Sequence, residues 1–254
     1  MKKVMFVLLI WSGLTLSLNA QESVVFENVM LTVNPEKITE FEAGIAAHNK
    51  KFHGDGAYGA RVYNVINGKN AGKYMLVMGP LSWSAMDARP SGQDHTDDNN
   101  KNINRYLESD VDVNYMKMHP KLSNFSKDFE IKKLSVSMID VKRFKQKEFI
   151  EKVLTKVVKV YKEKMPEQMF GVYSNEMSNM EGMDFGWVDF FDNSSWMGNE
   201  NKFAEYFKEV YGAGSFETFM ADVEATTDGD STEIWELRKD LSGTSAQVKA
   251  ASRQ

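Results

Sequence analysis

Four histidines are the side chains of this sequence best suited to acid–base or ligand chemistry. His48, His53, His95 and His119 all lie in the first half of the chain. An imidazole can act as a base or bind a metal or haem near neutral pH, so this distribution makes the two halves chemically unequal. His48 and His53 are five residues apart, whereas a spacing of four places two metal ligands on one helix face. The spacing therefore argues against a metal site formed by this pair.

Both of these histidines also have a structural interpretation. His48 falls on the apolar stripe of a predicted helix, where it could be a hydrogen-bonded core side chain. His53 lies at the end of that helix, where the helix dipole favours a cation.

Three methionines form a second candidate site, in a predicted hairpin of the second half. Met177, Met180 and Met183 are three residues apart, and thioether sulfurs are ligands that Cu(I) prefers. The chain has 16 methionines, so the alternative is an apolar hairpin tip that packs on the neighbouring sheet. Copper binding and packing both stay open.

Aromatic side chains with a polar tip could line a pocket that stacks on a flat ligand. We expect His48, His53, Tyr63 and Trp83 to line such a pocket in the first half. The alternative is that most of these aromatic rings fill the core.

Several functional classes lack the residues that they require. There is no cysteine, which excludes disulfides, zinc-thiolate sites, iron–sulfur clusters and thiol nucleophiles. Motifs of the common hydrolases, kinases, dehydrogenases and zinc proteases are also absent. The net charge of −5 argues against nucleic acid as a partner. Asp94, Asp97 and Asp98 lack the spacing of a calcium loop and are predicted to lie in a solvated loop.

Residues 1–20 have the pattern of a signal peptide. Lys2 and Lys3 precede an apolar stretch over residues 4–11, and residues 17–20 resemble a cleavage site before Gln21. We therefore expect an exported protein, periplasmic or secreted. No later segment is apolar for long enough to span a bilayer, so the mature chain should have no integral membrane segment. The alternative is a retained N-terminal anchor.

The elements that must position these residues occur in the same order in both halves. In the first half, Asn34 and Pro35 suit the N-cap and first position of a helix, whose apolar stripe ends near Gly54. Strand patterns surround this helix over residues 24–32, 57–66 and 73–79, and short helices within 82–118 and an extended segment over 127–134 follow. In the second half, at an offset of about 110 residues, helices over 146–165, 202–211 and 216–224 lie among strands near 134–138, 168–175, 184–191 and 232–239.

This order predicts an α+β protein built from two tandem ferredoxin-like βαββαβ units. Each antiparallel sheet would have helices on one face and a bare second face, so the two sheets should pack into a barrel-like pseudo-dimer within one chain. The predicted boundaries are a signal peptide over 1–20, a first repeat over 21–132, a second repeat over 133–241 and a flexible tail over 242–254.

The βαββαβ order, the long helix after Asn34 and Pro35, and the apolar third strands followed by Trp83-Ser84 and Ser195-Trp196 resemble the dimeric α+β barrel superfamily. That group includes antibiotic-biosynthesis-type monooxygenases, EthD-like and NIPSNAP-type proteins, and haem-binding chlorite dismutase and dye-peroxidase branches. The resemblance implies a pocket between sheet and helices for an aromatic or polycyclic molecule, sometimes haem. No signature motif accompanies it, so it assigns no catalytic residue.

We therefore expect an exported protein that binds a small apolar or aromatic molecule in a pocket between sheet and helices. The alternatives are a monooxygenase-like or haem-linked enzyme in the same pocket, a Cu(I)-binding protein, and a structural or interaction protein. The sequence identifies no cofactor, and it leaves a monomeric pseudo-dimer and a homodimer both open.

Overall fold

A computed structural model describes residues 24–89, 91–108, 111–177 and 182–250. The predicted signal peptide and Met180 lie outside the described residues. Within the described ranges, every helix is too short or too polar to cross a membrane.

The described parts of the chain contain ten strands and seven α-helices. The strands are β1 Val25–Leu31, β2 Ala60–Val65, β3 Tyr74–Leu81, β4 Asp112–Met118, β5 Phe129–Glu130, β6 Lys133–Val141, β7 Phe170–Asn175, β8 Phe185–Phe191, β9 Thr227–Leu237 and β10 Gln247–Val248. The helices are α1 Ile38–Phe52, α2 Trp83–Asp87, α3 Gln93–Asn102, α4 Gln146–Glu148, α5 Thr155–Lys164, α6 Phe203–Tyr211 and α7 Ser215–Thr226, and a π-helical segment, Phe149–Leu154, joins α4 to α5.

Eight of the strands form a closed antiparallel barrel in the order β1-β3-β2-β9-β6-β8-β7-β4. The first half of the chain contributes the run β4-β1-β3-β2, and the second half contributes the run β9-β6-β8-β7. Two seams join the halves, β2 with β9 and β4 with β7, and each seam aligns three residue pairs. The single chain therefore closes the barrel without a second copy.

The barrel wall separates an interior core from two outer cores. Alternate residues of β8 show this division, because Phe185 and Trp187 pack in an outer core while Val188 and Phe190 face the interior. Both faces of this strand are covered, which explains why its sequence is apolar on both faces.

Helix α1 begins as the sequence predicts, with one difference at its first turn. The Asn34 side chain accepts a hydrogen bond from the Glu36 backbone N–H at 2.9 Å, and Pro35 opens a short 3₁₀ turn before α1 starts at Ile38. Phe41 and Ile45 are fully buried against the first-half sheet. His53 stands at the C-terminal end of the helix.

Residues 242–250, where the sequence predicts a flexible tail, pack against the barrel in the structure. Strand β10 pairs with β5 in a small second sheet, and Ala246 is buried. The Arg61 side chain donates hydrogen bonds to the Ser245 carbonyl at 2.9 Å and the Gln247 carbonyl at 3.3 Å. These contacts join residues that are far apart in sequence. The segment itself is polar and has no periodicity, so its local sequence could not predict that it packs on the barrel.

Candidate functional site

A cavity of about 470 Å³ lies inside the barrel, between the inner faces of strands from both halves. Its lining is mostly apolar and includes Phe26, Val77, Met116, Met118, Leu134, Val136, Met138, Val188, Phe190 and Trp235. A volume of this size and an apolar lining are typical of sites for small organic molecules.

Two tyrosines, the buried Tyr63 and the half-buried Tyr173, supply polar groups to this barrel cavity. Tyr63 and Tyr173 line it, and neither hydroxyl has a hydrogen-bond partner among the described residues. Burial raises the pKa of Tyr63 to about 12 and also raises the pKa of Tyr173, because the charged phenolate is disfavoured away from water. Both phenols are therefore neutral at physiological pH and can donate a hydrogen bond to a ligand.

Asparagines add a third polar position at the inner face of the barrel. Asn28 of β1 lines the cavity and is paired across the sheet with Asn114 of β4. The Asn114 side-chain oxygen is buried without a hydrogen-bond partner among the described residues. An acceptor in this state usually indicates a bound water or ligand that satisfies it.

The C-terminal residues contribute to the same cavity. Gln247, Val248 and Lys249 line it together with Phe125 and Ile131. Because Arg61 donates hydrogen bonds to the carbonyls of this segment, its guanidinium group fixes one part of the cavity lining.

The structure brings only one of the four predicted pocket residues to the barrel cavity. Tyr63 lines it, whereas Trp83 lies on α2 with 37% of its surface exposed and packs on Tyr115 at 5.6 Å between ring centroids. His48 and His53 lie at the end of α1, outside the barrel wall. The expected single wall formed by these four residues is therefore not present.

The cavity also lies elsewhere than in the expected space between sheet and helices. In the second half that space is filled by closely packed aromatic rings, since Phe170 and Trp187 stack at 4.4 Å and Phe207 packs on Phe219 at 4.5 Å. Large apolar side chains on the helices pack into that space, while the two inner sheet faces leave a gap between them.

Three histidines form a second site, on the outer side of the first-half sheet. His48, His53 and His95, called the histidine cluster below, each have a ring nitrogen within 4.8 Å of a ring nitrogen of the other two. The Nε2 atoms of His53 and His95 are 3.2 Å apart. His48 is 3% exposed, whereas the other two are partly exposed.

Hydrogen bonds orient two of these rings. His48 Nδ1 lies 2.7 Å from Asp98 Oδ1, and His53 Nδ1 lies 3.0 Å from the Tyr58 carbonyl oxygen. The hydrogen bond from His48 lowers the pKa of Asp98, and burial lowers the pKa of His53 to about 4. Burial and the neighbouring His48 also lower the pKa of His95.

Sequence reasoning missed this cluster because it depends on α3. The segment containing His95 and Asp98 is predicted as a solvated loop, but the structure shows a helix from Gln93 to Asn102 that packs on α1. His95 and Asp98 are three residues apart and so share one face of that helix. His53 follows α1, so the spacing rule for two ligands within a helix does not apply to it.

The methionine site lies only partly within the described residues. Met177 is 50% exposed and lies two residues after β7, and Met183 precedes β8. Copper binding by Met177, Met180 and Met183 stays a prediction, which leucine substitutions at these positions would test through Cu(I) affinity.

Comparisons with known proteins identify the fold. No protein-family model matches the sequence, and no curated protein matches it. A proposed monooxygenase from Lactobacillus acidophilus NCFM is similar over 91% of this chain and 100% of its own, with 12% identity and a TM-score of 0.56. An anthrone oxidase-like protein is similar over 92% of this chain and 96% of its own, with 10% identity and a TM-score of 0.54.

Chlorite dismutase from Candidatus Nitrospira defluvii is similar over 86% of this chain and 93% of its own, with 9% identity and a TM-score of 0.53. The fold is that of the dimeric α+β barrel proteins. At these identities the likeness concerns the fold and not the activity.

A haem with a histidine ligand does not fit the barrel cavity. None of the histidines is among the described residues that line it. His119 Nε2 lies 2.8 Å from the Ser174 hydroxyl and its ring stacks on Phe185, while the other three histidines contact one another. The described lining of this cavity therefore offers a haem no histidine ligand.

Proposed function

We propose that this protein binds a small, mainly apolar molecule, with an aromatic ring and a hydrogen-bonding group, in the barrel cavity. The observation that carries the proposal is the pair of phenols of the buried Tyr63 and the half-buried Tyr173, which line an apolar cavity without hydrogen-bond partners among the described residues. A ligand that displaced water from these hydroxyls without pairing with them would incur a free-energy cost of about 1–3 kcal/mol each, so a ligand that fits should carry a hydrogen-bonding group.

The cavity lining supports an aromatic ligand more than an aliphatic one. Trp235 and Phe190 offer ring surfaces for stacking, and the thioethers of Met116 and Met138 pack well on ring edges. Asn28 adds an amide that can pair with a hydroxyl or carbonyl group.

Two matched substitutions test this proposal. Val188→Phe places a larger side chain in the cavity, whereas Val113→Phe makes the same change on an exposed position of β4. With 2-naphthol as the probe, we expect quenching of Trp235 fluorescence in the wild type and in Val113→Phe, and a loss of at least tenfold in affinity in Val188→Phe. Equal affinity in all three proteins would place the probe elsewhere. No binding of any aromatic probe would favour a structural or interaction role.

A second candidate function is cofactor-independent oxidation of an aromatic molecule in the same cavity. The fold neighbours favour it, since they include a proposed monooxygenase and an anthrone oxidase-like protein. With anthrone as the probe, oxidation by O₂ would yield anthraquinone and water. Anthraquinone formation in the wild type and its loss in Val188→Phe would support this function, and a rate equal to the buffer blank would contradict it.

The wider organisation belongs to the same proposal. The equal strand orders of the halves support a tandem duplication of one ferredoxin-like unit, and closure of the barrel within one chain supports a monomeric pseudo-dimer over a homodimer. Export is supported by the basic and apolar pattern of residues 1–20. Native mass spectrometry of the protein from its own host would test the monomeric state and export. The mass of the particle gives the number of chains, and an exported chain should begin at Gln21.

A further inference from the structure

We propose that the histidine cluster binds one divalent transition-metal ion, of the class of Zn²⁺ or Co²⁺, through ring nitrogens of His48, His53 and His95. The site is separate from the barrel cavity, since none of these residues is among the described residues that line the cavity.

The distance between two of the nitrogens matches a shared metal ion. Zn²⁺ binds histidine nitrogen at about 2.0–2.1 Å with tetrahedral geometry, which places two nitrogens on the same ion roughly 3.3 Å apart. The Nε2 atoms of His53 and His95 are 3.2 Å apart. The third ring belongs to the same group because all three nitrogens lie within 4.8 Å of one another.

Hydrogen bonds set two of the rings in the form that a metal requires. A carbonyl oxygen only accepts, so His53 Nδ1 must donate to Tyr58, and the neutral ring then has its lone pair on Nε2. His48 Nδ1 likewise donates to the Asp98 carboxylate, so the lone pair of the neutral His48 ring is on Nε2 and can bind a metal. Metal-binding histidines usually donate their other N–H to a carboxylate or a backbone carbonyl, and here one ring has each kind of partner.

The composition of the site favours a transition metal over Ca²⁺ or Mg²⁺. Imidazole nitrogen suits Zn²⁺, Co²⁺, Ni²⁺ and Cu²⁺, whereas Ca²⁺ and Mg²⁺ prefer oxygen ligands. Asp98 also borders a polar surface groove, which is lined by acidic and basic side chains, Asp94, Asp97, Lys51 and Lys101. Three nitrogen ligands would leave one tetrahedral position for water.

The alternative is a histidine group held together by hydrogen bonds alone. In that case His95 Nε2 donates to His53 Nε2, and the rings pack against Phe52 as part of the core. This arrangement needs no ion and predicts no metal affinity, so metal titration separates the two.

The test is titration of the untagged full-length protein with Co²⁺ and with Zn²⁺, after treatment with a chelator. Co²⁺ absorption reports the ligand geometry, and calorimetry reports affinity and stoichiometry. We expect one ion per chain and a tetrahedral Co²⁺ spectrum. His95→Ala removes a partly exposed ligand and should weaken binding more than 100-fold. Asp98→Asn, which removes only the partner of His48, should weaken it about 10- to 100-fold.

His119→Ala is the matched control, because it removes a histidine that contacts Ser174 and not the cluster. Its affinity should stay within about twofold of the wild type, and so should that of the cavity variant Val188→Phe. Circular dichroism checks that each variant folds, and Zn²⁺ should raise the melting temperature of the wild type but not of His95→Ala. A wild type that binds no ion, or a His119→Ala variant that loses affinity as His95→Ala does, would overturn the proposal.

Discussion

Asp189 shows at the residue scale how burial alone changes the charge of a side chain. The residue is buried beside Trp187 and Gln168, whose N–H groups donate to its two oxygens at 3.0 and 3.3 Å. Burial nevertheless dominates and raises the pKa of Asp189 to about 7 from an ordinary 3.8, while these hydrogen bonds reduce the rise. The folded protein therefore keeps a proton on this carboxyl group that the unfolded chain has released between about pH 4 and pH 7.

The predicted consequence is a free energy of unfolding that falls as pH rises through this window, by up to about 4 kcal/mol at 1.36 kcal/mol per pKa unit. In Asp189→Asn, this contribution should be absent at every pH. Urea unfolding of both proteins at pH 5 and pH 8 measures it. Buried histidines with a lowered pKa act in the opposite direction, so the difference between wild type and variant is the readout. Parallel pH profiles would contradict the prediction.

At the element scale, the packing of α1 on α3 places the histidine cluster. A Cβ atom added at Gly44 of α1 would lie 2.0 Å from the Asn102 carbonyl oxygen at the end of α3. Two non-bonded atoms cannot approach so closely. The absence of a side chain at Gly44 thus lets α3 lie against α1, where Asp98 reaches His48. The close packing of α3 on α1 therefore depends on the small size of Gly44.

Gly44→Ala should therefore lower the free energy of unfolding by about 1–3 kcal/mol, as overpacking does. The sign of this change in stability is informative, because a Gly-to-Ala substitution inside a helix normally stabilises the helix by about 1 kcal/mol. The same variant should weaken Co²⁺ binding at the histidine cluster, since α3 carries His95. Gly54→Ala is the control, as its added Cβ meets no atom within 4 Å. Similar stability and affinity in the two variants would refute this account of the packing.

The elements were predictable to the extent that local patterns specify them. The cap at Asn34, the apolar stripe of α1 and the strand patterns over 57–66 and 73–79 are local signals, and the structure contains the cap, the helix and both strands. Helix α3 was not predictable in this way, because its sequence from Gln93 to Asn102 is polar on every face and shows no apolar stripe. Its contacts with α1 involve residues about 50 positions apart.

The candidate sites required long-range information of the same kind. Tyr63 was predicted as a pocket residue, but its partner Tyr173 lies in the other half, and only barrel closure brings both to one cavity. The histidine cluster likewise depends on where α3 packs, so a spacing rule applied to His48 and His53 alone could not find it.

At the scale of the whole molecule, the closed barrel joins the two halves into one hydrogen-bonded sheet. We expect the protein to unfold in a single transition, because separation of the halves would expose the edges of four strands and the interior core. Trp83 reports on the first half, whereas Trp187, Trp196 and Trp235 lie in the second. Fluorescence and circular dichroism should therefore give one urea midpoint, in the wild type and in a Trp83→Phe variant. Two separate midpoints would show that the halves are independent.

The two seams have a consequence for how molecules reach the interior. Each aligns three residue pairs, whereas β6 and β9 align nine. The free energy of local opening is lowest where the fewest hydrogen bonds must break together, so the barrel should open locally along its seams. Backbone amides there should exchange with deuterium before those of β6, and a transient split between β4 and β7 would admit a ligand beside Tyr173 without unfolding either half.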